Sequence, residues 1–179
     1  VENRASVLVA GGVASGKTTM LNCLSMFIKP EMKVVSVEDT QELNLPHENW
    51  VSLIARQSYG LGGSNVGEVA LFDLVKTSMR HRPDILIVGE VRGQEAYVLF
   101  QALATGHGGM CTMHAENLDS ALKRLTQKPM DISPAYLPLM NIIMSIQRVH
   151  LVKNNERRAF RRVLNVNEIA DYEDYRGIF

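Results

Sequence analysis

With 179 residues, 46% of them hydrophobic and 21% charged, the chain is long enough for one domain with a sizeable core. Lys+Arg and Asp+Glu balance at 19 each, so the molecule as a whole offers no electrostatic case for nucleic acid or an anionic membrane surface. No apolar run is long enough to span a bilayer, and Cys23 and Cys111, far apart in apolar surroundings, read as small core residues and indicate neither a disulfide framework nor a zinc site.

The chain starts at Val1, almost directly on its first predicted strand, Ser6-Val7-Leu8-Val9-Ala10, and reads as a domain trimmed from a longer protein. Gly11-Gly12-Val13-Ala14-Ser15-Gly16-Lys17-Thr18 follows and spells G-x-x-x-x-G-K-[ST], the phosphate-binding P-loop; a helix is expected from Thr19 to Ile28. In that strand–loop–helix setting the glycines let backbone N–H groups turn inward around a polyphosphate, and the start of the helix adds its partial positive charge. Val34–Val37 and Trp50–Ile54 are short strand candidates, and Tyr59–Gly67, rich in Gly, Ser and Asn, reads as a mobile loop. Glu68–Arg80 carries apolar residues at a helical period and stops before Pro83. Ile85-Leu86-Ile87-Val88 is a continuous apolar run suited to a strand buried on both faces of a parallel sheet. Helices over Gln94–Thr105 and Asn117–Lys128 flank a strand at Met110–Met113. A turn from Pro129 leads into a short helix through Met144, and an antiparallel pair, Ser145–Val152 with Arg161–Ile169, joins near Asn154-Asn155. Alternating β and α units imply a doubly wound, mostly parallel sheet with the ligand at the carboxyl edge of the strands.

Several residues fall at those strand ends. Lys17 is placed to reach the β- and γ-phosphates of a nucleotide and Thr18 to bind Mg²⁺. The run Ile85–Val88 ends in Gly89-Glu90, so one acid stands where two are usual, and a second carboxylate is needed to activate water. Glu38 and Asp39, after the Val34–Val37 strand, are the natural suppliers; the competing reading has them cap a turn. His114, at the end of the Met110–Met113 strand, is suited to donate to a γ-phosphate or sense its loss. His107 reads as a structural hydrogen-bonder. Arg92 stands close enough to Glu90 to share its site or pair with it, while Arg56, Arg80 and Arg82 suit either a salt-bridged surface or a neighbour's nucleotide. The cluster Arg157, Arg158, Arg161 and Arg162 reads as a solvated face.

Four boxes, in this order, resemble the secretion ATPase superfamily of type II secretion, type IV pilus, type IV secretion and archaellum motors. They are the P-loop Gly11–Thr18, Val37-Glu38-Asp39-Thr40 as the aspartate box, Ile87–Gly93 as the atypical Walker B, and Thr105-Gly106-His107-Gly108-Gly109 through Met113–Asn117 as the histidine box. Leu45–Trp50 looks like archaeal members, and no C-x-x-C zinc insertion of bacterial type II members is present; tight-adherence pilus ATPases are close competitors.

The resemblance implies a RecA-like P-loop NTPase domain over residues 1–128, with a small helical and antiparallel extension over 129–179 and without the N-terminal domain that supplies arginines in family members. It implies Mg²⁺-dependent ATP hydrolysis in a homohexamer that drives a membrane platform protein from the cytoplasmic face, with membrane association through partners and no nucleic acid. Gly11, Gly12, Ala14, Ser15, Gly16, Lys17, Thr18 and Thr19 would bind the nucleotide, with Thr19 at the α-phosphate. Glu38 would be the base, Glu90 would order Mg²⁺ through water alongside Thr18, and His114 would read the γ-phosphate. A different class of reading makes the chain a nucleotide-dependent assembly module with little hydrolysis of its own. A nucleic-acid translocase is disfavoured by zero net charge and the lack of an aromatic-interleaved basic stripe.

Overall fold

The apolar runs become the interior strands of one sheet. A computed structural model describes residues 5–56, 67–153, 156–171 and 175–177. In chain order they form β1 (Val7–Gly11), α1 (Lys17–Ser25), β2 (Val34–Glu38), β3 (Trp50–Ile54), α2 (Leu71–Ser78), β4 (Ile85–Val88), α3 (Glu95–Ala104), β5 (Gly108–Met113), α4 (Leu118–Thr126), β6 (Ile142–Lys153), β7 (Glu156–Ile169) and β8 (Tyr175–Gly177). Short 3₁₀ helices follow α2 at Met79–His81 and precede β6 at Pro134–Leu139.

Among the described residues the strands lie in the order β3-β2-β4-β5-β1-β6-β7-β8. The first six are mutually parallel, and β7 and β8 complete the edge antiparallel. Parallel pairing brings the carboxyl ends of β1, β2, β4 and β5 to one edge, with β5 between the strand that feeds the Gly-rich turn and the strand that feeds Glu90.

Period-two alternation sorts the interior strands between two cores. Leu86 and Val88 of β4, with Val35 and Val37 of β2 and Leu8 of β1, pack on the α3 face; Ile85 and Ile87 face Leu21 of α1 on the other. Each such fully buried aliphatic side chain contributes roughly 1.5–3 kcal/mol of transfer free energy. Helix α3 is buried along most of its length, as its run of Ala, Val, Leu and Phe requires. Helix α4 starts at Asn117, whose side chain accepts from the Ser120 N–H while Ser120 Oγ accepts from the Asn117 N–H, a reciprocal capping box.

Two sequence expectations change. The short helix expected through Met144 ends at Leu139, and Ile142–Ser145 pair instead with Val7–Ala10; the β-branched pair Ile142-Ile143 extends the sheet beyond β1. Thus the chain after Lys128 returns to the main sheet through β6. Cys23 is exposed, because on α1 it lies about 200° around the helix from buried Leu21 and Ser25. Cys111 is a core residue as read, and burial pushes its thiol up to about 12. The loop read at Tyr59–Gly67 lies outside the described residues except for Gly67, and so does Asn154-Asn155.

Candidate functional site

A cleft of about 750 Å³ opens at the carboxyl edge of the sheet. One wall is the turn between β1 and α1. Ala14 and Gly16 adopt left-handed backbone conformations, φ 57° and 97°. Ser15 Oγ donates to the Gly12 carbonyl at 2.9 Å, and Lys17 Nζ donates to the same carbonyl at 3.1 Å. The lysine is therefore folded back across the mouth of its own loop. Thr18 and Thr19, in the first turn of α1, line the cleft beside it.

The opposite wall is acidic. Glu38, the last residue of β2, is 2% exposed. Its Oε1 accepts from the backbone N–H groups of Glu42 and Leu43 at 3.1 and 3.0 Å, and buried Leu43 and Leu45 anchor that loop beside Leu21. Its Oε2 is buried with no hydrogen-bond partner among the described residues. Burial raises the Glu38 carboxyl above its ordinary value, and the two N–H bonds from Glu42 and Leu43 only partly oppose this.

Gly89 explains the single acid after β4. A Cβ at position 89 would stand 3.0 Å from Glu38 Cγ and 3.5 Å from its Cβ, so an aspartate there would occupy the space that Glu38 fills. The Gly89 N–H donates to the Val37 carbonyl, and Thr112 Oγ1 donates to the Gly89 carbonyl at 2.7 Å. Glu90 lies between two cations. Its Oε1 is 3.7 Å from Lys17 Nζ, and its Oε2 accepts from Arg92 Nε at 2.9 Å and from Arg92 Nη2. Both options the sequence left for Arg92 are met, since it lines the cleft and pairs with Glu90, whose hydrogen bond and charge raise the guanidinium further. His114, after β5, is half-buried and lines the same cleft.

All four residues assigned to catalysis from sequence, Lys17, Glu38, Glu90 and His114, thus line one cleft. His107 Nδ1 lies 3.1 Å from the Ala102 carbonyl and 3.0 Å from Thr105 Oγ1, a local structural contact. Arg56 bonds the Gly67 carbonyl.

Sequence reasoning missed four cleft or support residues. Thr112 is 1% exposed and holds the turn after β4 from two sides, since its carbonyl also accepts from Val91 N–H. A hydroxyl between Cys111 and Met113 in an apolar strand was the available signal. Glu95, 7% exposed, accepts from the N–H groups of Arg92 and Gly93 at 2.5 and 2.6 Å, and its signal was an acid in the first turn of α3. Arg124 of α4 and Arg161 of β7 also line the cleft. Arg161, read as part of a solvated face, carried no signal, because its position depends on strand register.

Sheet and cleft together define a mixed α/β protein with the fold of the secretion ATPases. The VirB11 ATPase of the Brucella suis type IV secretion system, solved with sulphate, superposes with a TM-score of 0.70 at 22% identity, over 95% of this chain and 51% of that one. The pilus retraction motor PilT, solved with bound ADP, gives 0.61 at 21% identity, over 89% and 47%.

A model of the Type II/IV secretion system protein family matches residues 1–172, and the chain belongs to that family. An uncharacterized protein of Methanocaldococcus jannaschii is 45% identical over 173 residues, 97% of this chain and 62% of the relative. The type IV secretion system protein PtlH of Bordetella pertussis is 37% identical over 172 residues, 90% and 49%. The chain thus spans about half to three-fifths of these relatives. No helix among the described residues is long and apolar enough to cross a membrane.

Proposed function

We propose that this chain is the ATP-hydrolysing motor domain of a secretion or pilus-type filament assembly system, with a RecA-like core. The observation that carries the reading is convergence: a Gly-rich turn with its lysine, a buried carboxylate with one unpartnered oxygen, a second acid and a histidine all line one cleft. The turn offers inward N–H groups to the phosphates, with Thr19 at the α-phosphate and Lys17 released from the Gly12 carbonyl to the β- and γ-phosphates. Glu38, raised by burial, takes the proton of the attacking water through Oε2. His114 donates to the γ-phosphate.

Hard oxygen donors suit Mg²⁺, and the Thr18 hydroxyl with Glu90 acting through water is a donor set of that kind. A Mg²⁺ held there would supply positive charge to offset that of the phosphates. On nucleotide entry Lys17 would exchange the Gly12 carbonyl and Glu90 for phosphate oxygens. By family membership the working form is a homohexamer at the cytoplasmic face of the membrane, acting on a membrane platform protein.

A second reading, a nucleotide-dependent assembly module, is favoured by one observation: Glu90 is held by two cations of its own chain. Steady-state Mg²⁺-ATP hydrolysis by this chain beside Lys17→Ala separates the two. The motor reading expects turnover that the variant loses. Turnover absent from both, with light scattering showing a mass increase on ATP addition, would support the assembly module.

A further inference from the structure

Not every cation on the cleft comes from the family boxes. Arg161 lies on β7, opposite Arg148 of β6 in the register, and reaches back 147 residues to the Gly-rich turn. Its Nε donates to the Ala14 carbonyl at 3.2 Å. Its Cδ lies 3.0 Å from where a Cβ would stand at Gly16, whose φ of +97° already favours glycine. Among the described residues no carboxylate pairs with its guanidinium. An exposed arginine is thus held against an anion cradle by one neutral contact, with its remaining N–H groups available.

Strand order decides which end of a nucleotide it meets. Glu38, Glu90 and His114 follow β2, β4 and β5, which all lie on one side of β1, whereas β6 and β7 lie on the other. With the γ-phosphate facing the acids and His114, a polyphosphate laid along the turn directs its α-phosphate and nucleoside toward β6 and β7. A guanidinium suits that end twice over: its fork matches phosphate oxygens, and its plane stacks on a base. We infer that Arg161 is a nucleotide-binding residue supplied by β7, holding the α-phosphate–nucleoside end of an adenine nucleotide. The inference rests on the nucleotide-site reading above.

The test is titration calorimetry of Mg²⁺-ADP and a Mg²⁺-bound non-hydrolysable ATP analogue on this chain, Arg161→Ala and Arg161→Lys, with nucleotide-free melting temperatures alongside. The expected result is that Arg161→Ala weakens both ligands by the same factor, roughly tenfold for lost charge-assisted hydrogen bonds. Lysine restores only part, since it lacks the planar fork. Wild-type affinity in Arg161→Ala would overturn the assignment, and a lowered melting temperature with unchanged affinity would make Arg161 a strut for the turn. A loss confined to the ATP analogue would place the cation at the γ-phosphate and overturn it equally. Failure of the unaltered chain to bind either ligand would instead remove the nucleotide-site reading, and the inference with it.

Discussion

The two walls of the cleft are assembled in opposite ways. The Gly-rich wall is one continuous stretch, Gly11–Thr19, which offers backbone N–H groups, the Lys17 amine and the Thr18 hydroxyl. The acidic wall draws Glu38, Gly89, Thr112 and His114 from the ends of three strands, and Glu38, Gly89 and Thr112 are each held by a contact with another strand or the loop after it. The first wall is local and tolerates sequence change wherever the backbone path survives. The second is a property of register, so a shift of one strand would dismantle it. That contrast predicts where substitutions hurt chemistry and where they hurt affinity.

The sharpest separation is Glu38→Gln. Glutamine keeps the size and the acceptor oxygen that bonds the Glu42 and Leu43 N–H groups, but it does not take a proton from water. Loss of a general base lowers turnover by roughly 10²–10⁴-fold. Nucleotide affinity, set by the other wall, stays close to that of the unaltered chain. Single-turnover hydrolysis with a parallel binding titration checks both halves, and normal turnover would transfer the base role to Glu90.

What the sequence made legible follows the same division. The Gly-rich turn, its lysine and the run Ile85–Val88 are contiguous, so a reading along the chain captures them. The pairing of Glu38 with Gly89 is not contiguous: it needs β2 beside β4 with Val37 opposite Val88. The need for a second acid was legible from chemistry, but the reason Gly89 stands where an acid is usual was not, because it is steric and lies across two strands. Arg161 was invisible for the same reason, its partner lying 147 residues away, while Thr112 showed only a hydroxyl in an apolar strand and not its partner 23 residues away. The helix expected through Met144 failed because local propensity does not reveal that the edge of β1 requires a partner.

Gly89→Ala tests the steric half of the acidic wall. The added methyl meets Glu38 Cγ at 3.0 Å and displaces the carboxylate from its pocket toward the water of the cleft. Misplacement of a few tenths of an ångström is expected to lower turnover by about tenfold, short of the ~10²-fold that a 1 Å misplacement can cost. The pH profile supplies the discriminating readout. In the unaltered chain burial holds the Glu38 carboxyl above its ordinary value of 4.5, so with Glu38 as the base the acid limb of hydrolysis is expected above pH 4.5. The same shift has a sign for stability. A raised folded-state value means that protonated Glu38 adds stability below its ordinary value, and that this contribution is lost as pH rises through the raised one. In Gly89→Ala the relieved burial moves the acid limb down toward 4.5. An unmoved limb with reduced turnover would mean that Gly89 acts on Glu90 and not on Glu38.

The smallest expected effect tests the scaffold behind that wall. Thr112→Val replaces a hydroxyl with a methyl of similar volume in a fully buried position, so packing changes little and the bond to the Gly89 carbonyl is lost. One net hydrogen bond is worth about 1 kcal/mol, with more at stake when the buried acceptor is left unpaired. In a chain of this size that lowers the melting temperature by about 3 °C. Because the Val91 N–H still bonds the carbonyl of residue 112, the turn after β4 keeps one of its two ties, and turnover falls by a few-fold at most. Affinity for Mg²⁺-ADP should not move, since the Gly-rich wall does not touch this bond. A large loss of ADP affinity in Thr112→Val would therefore show that the two walls are mechanically coupled through β5, the strand that separates them.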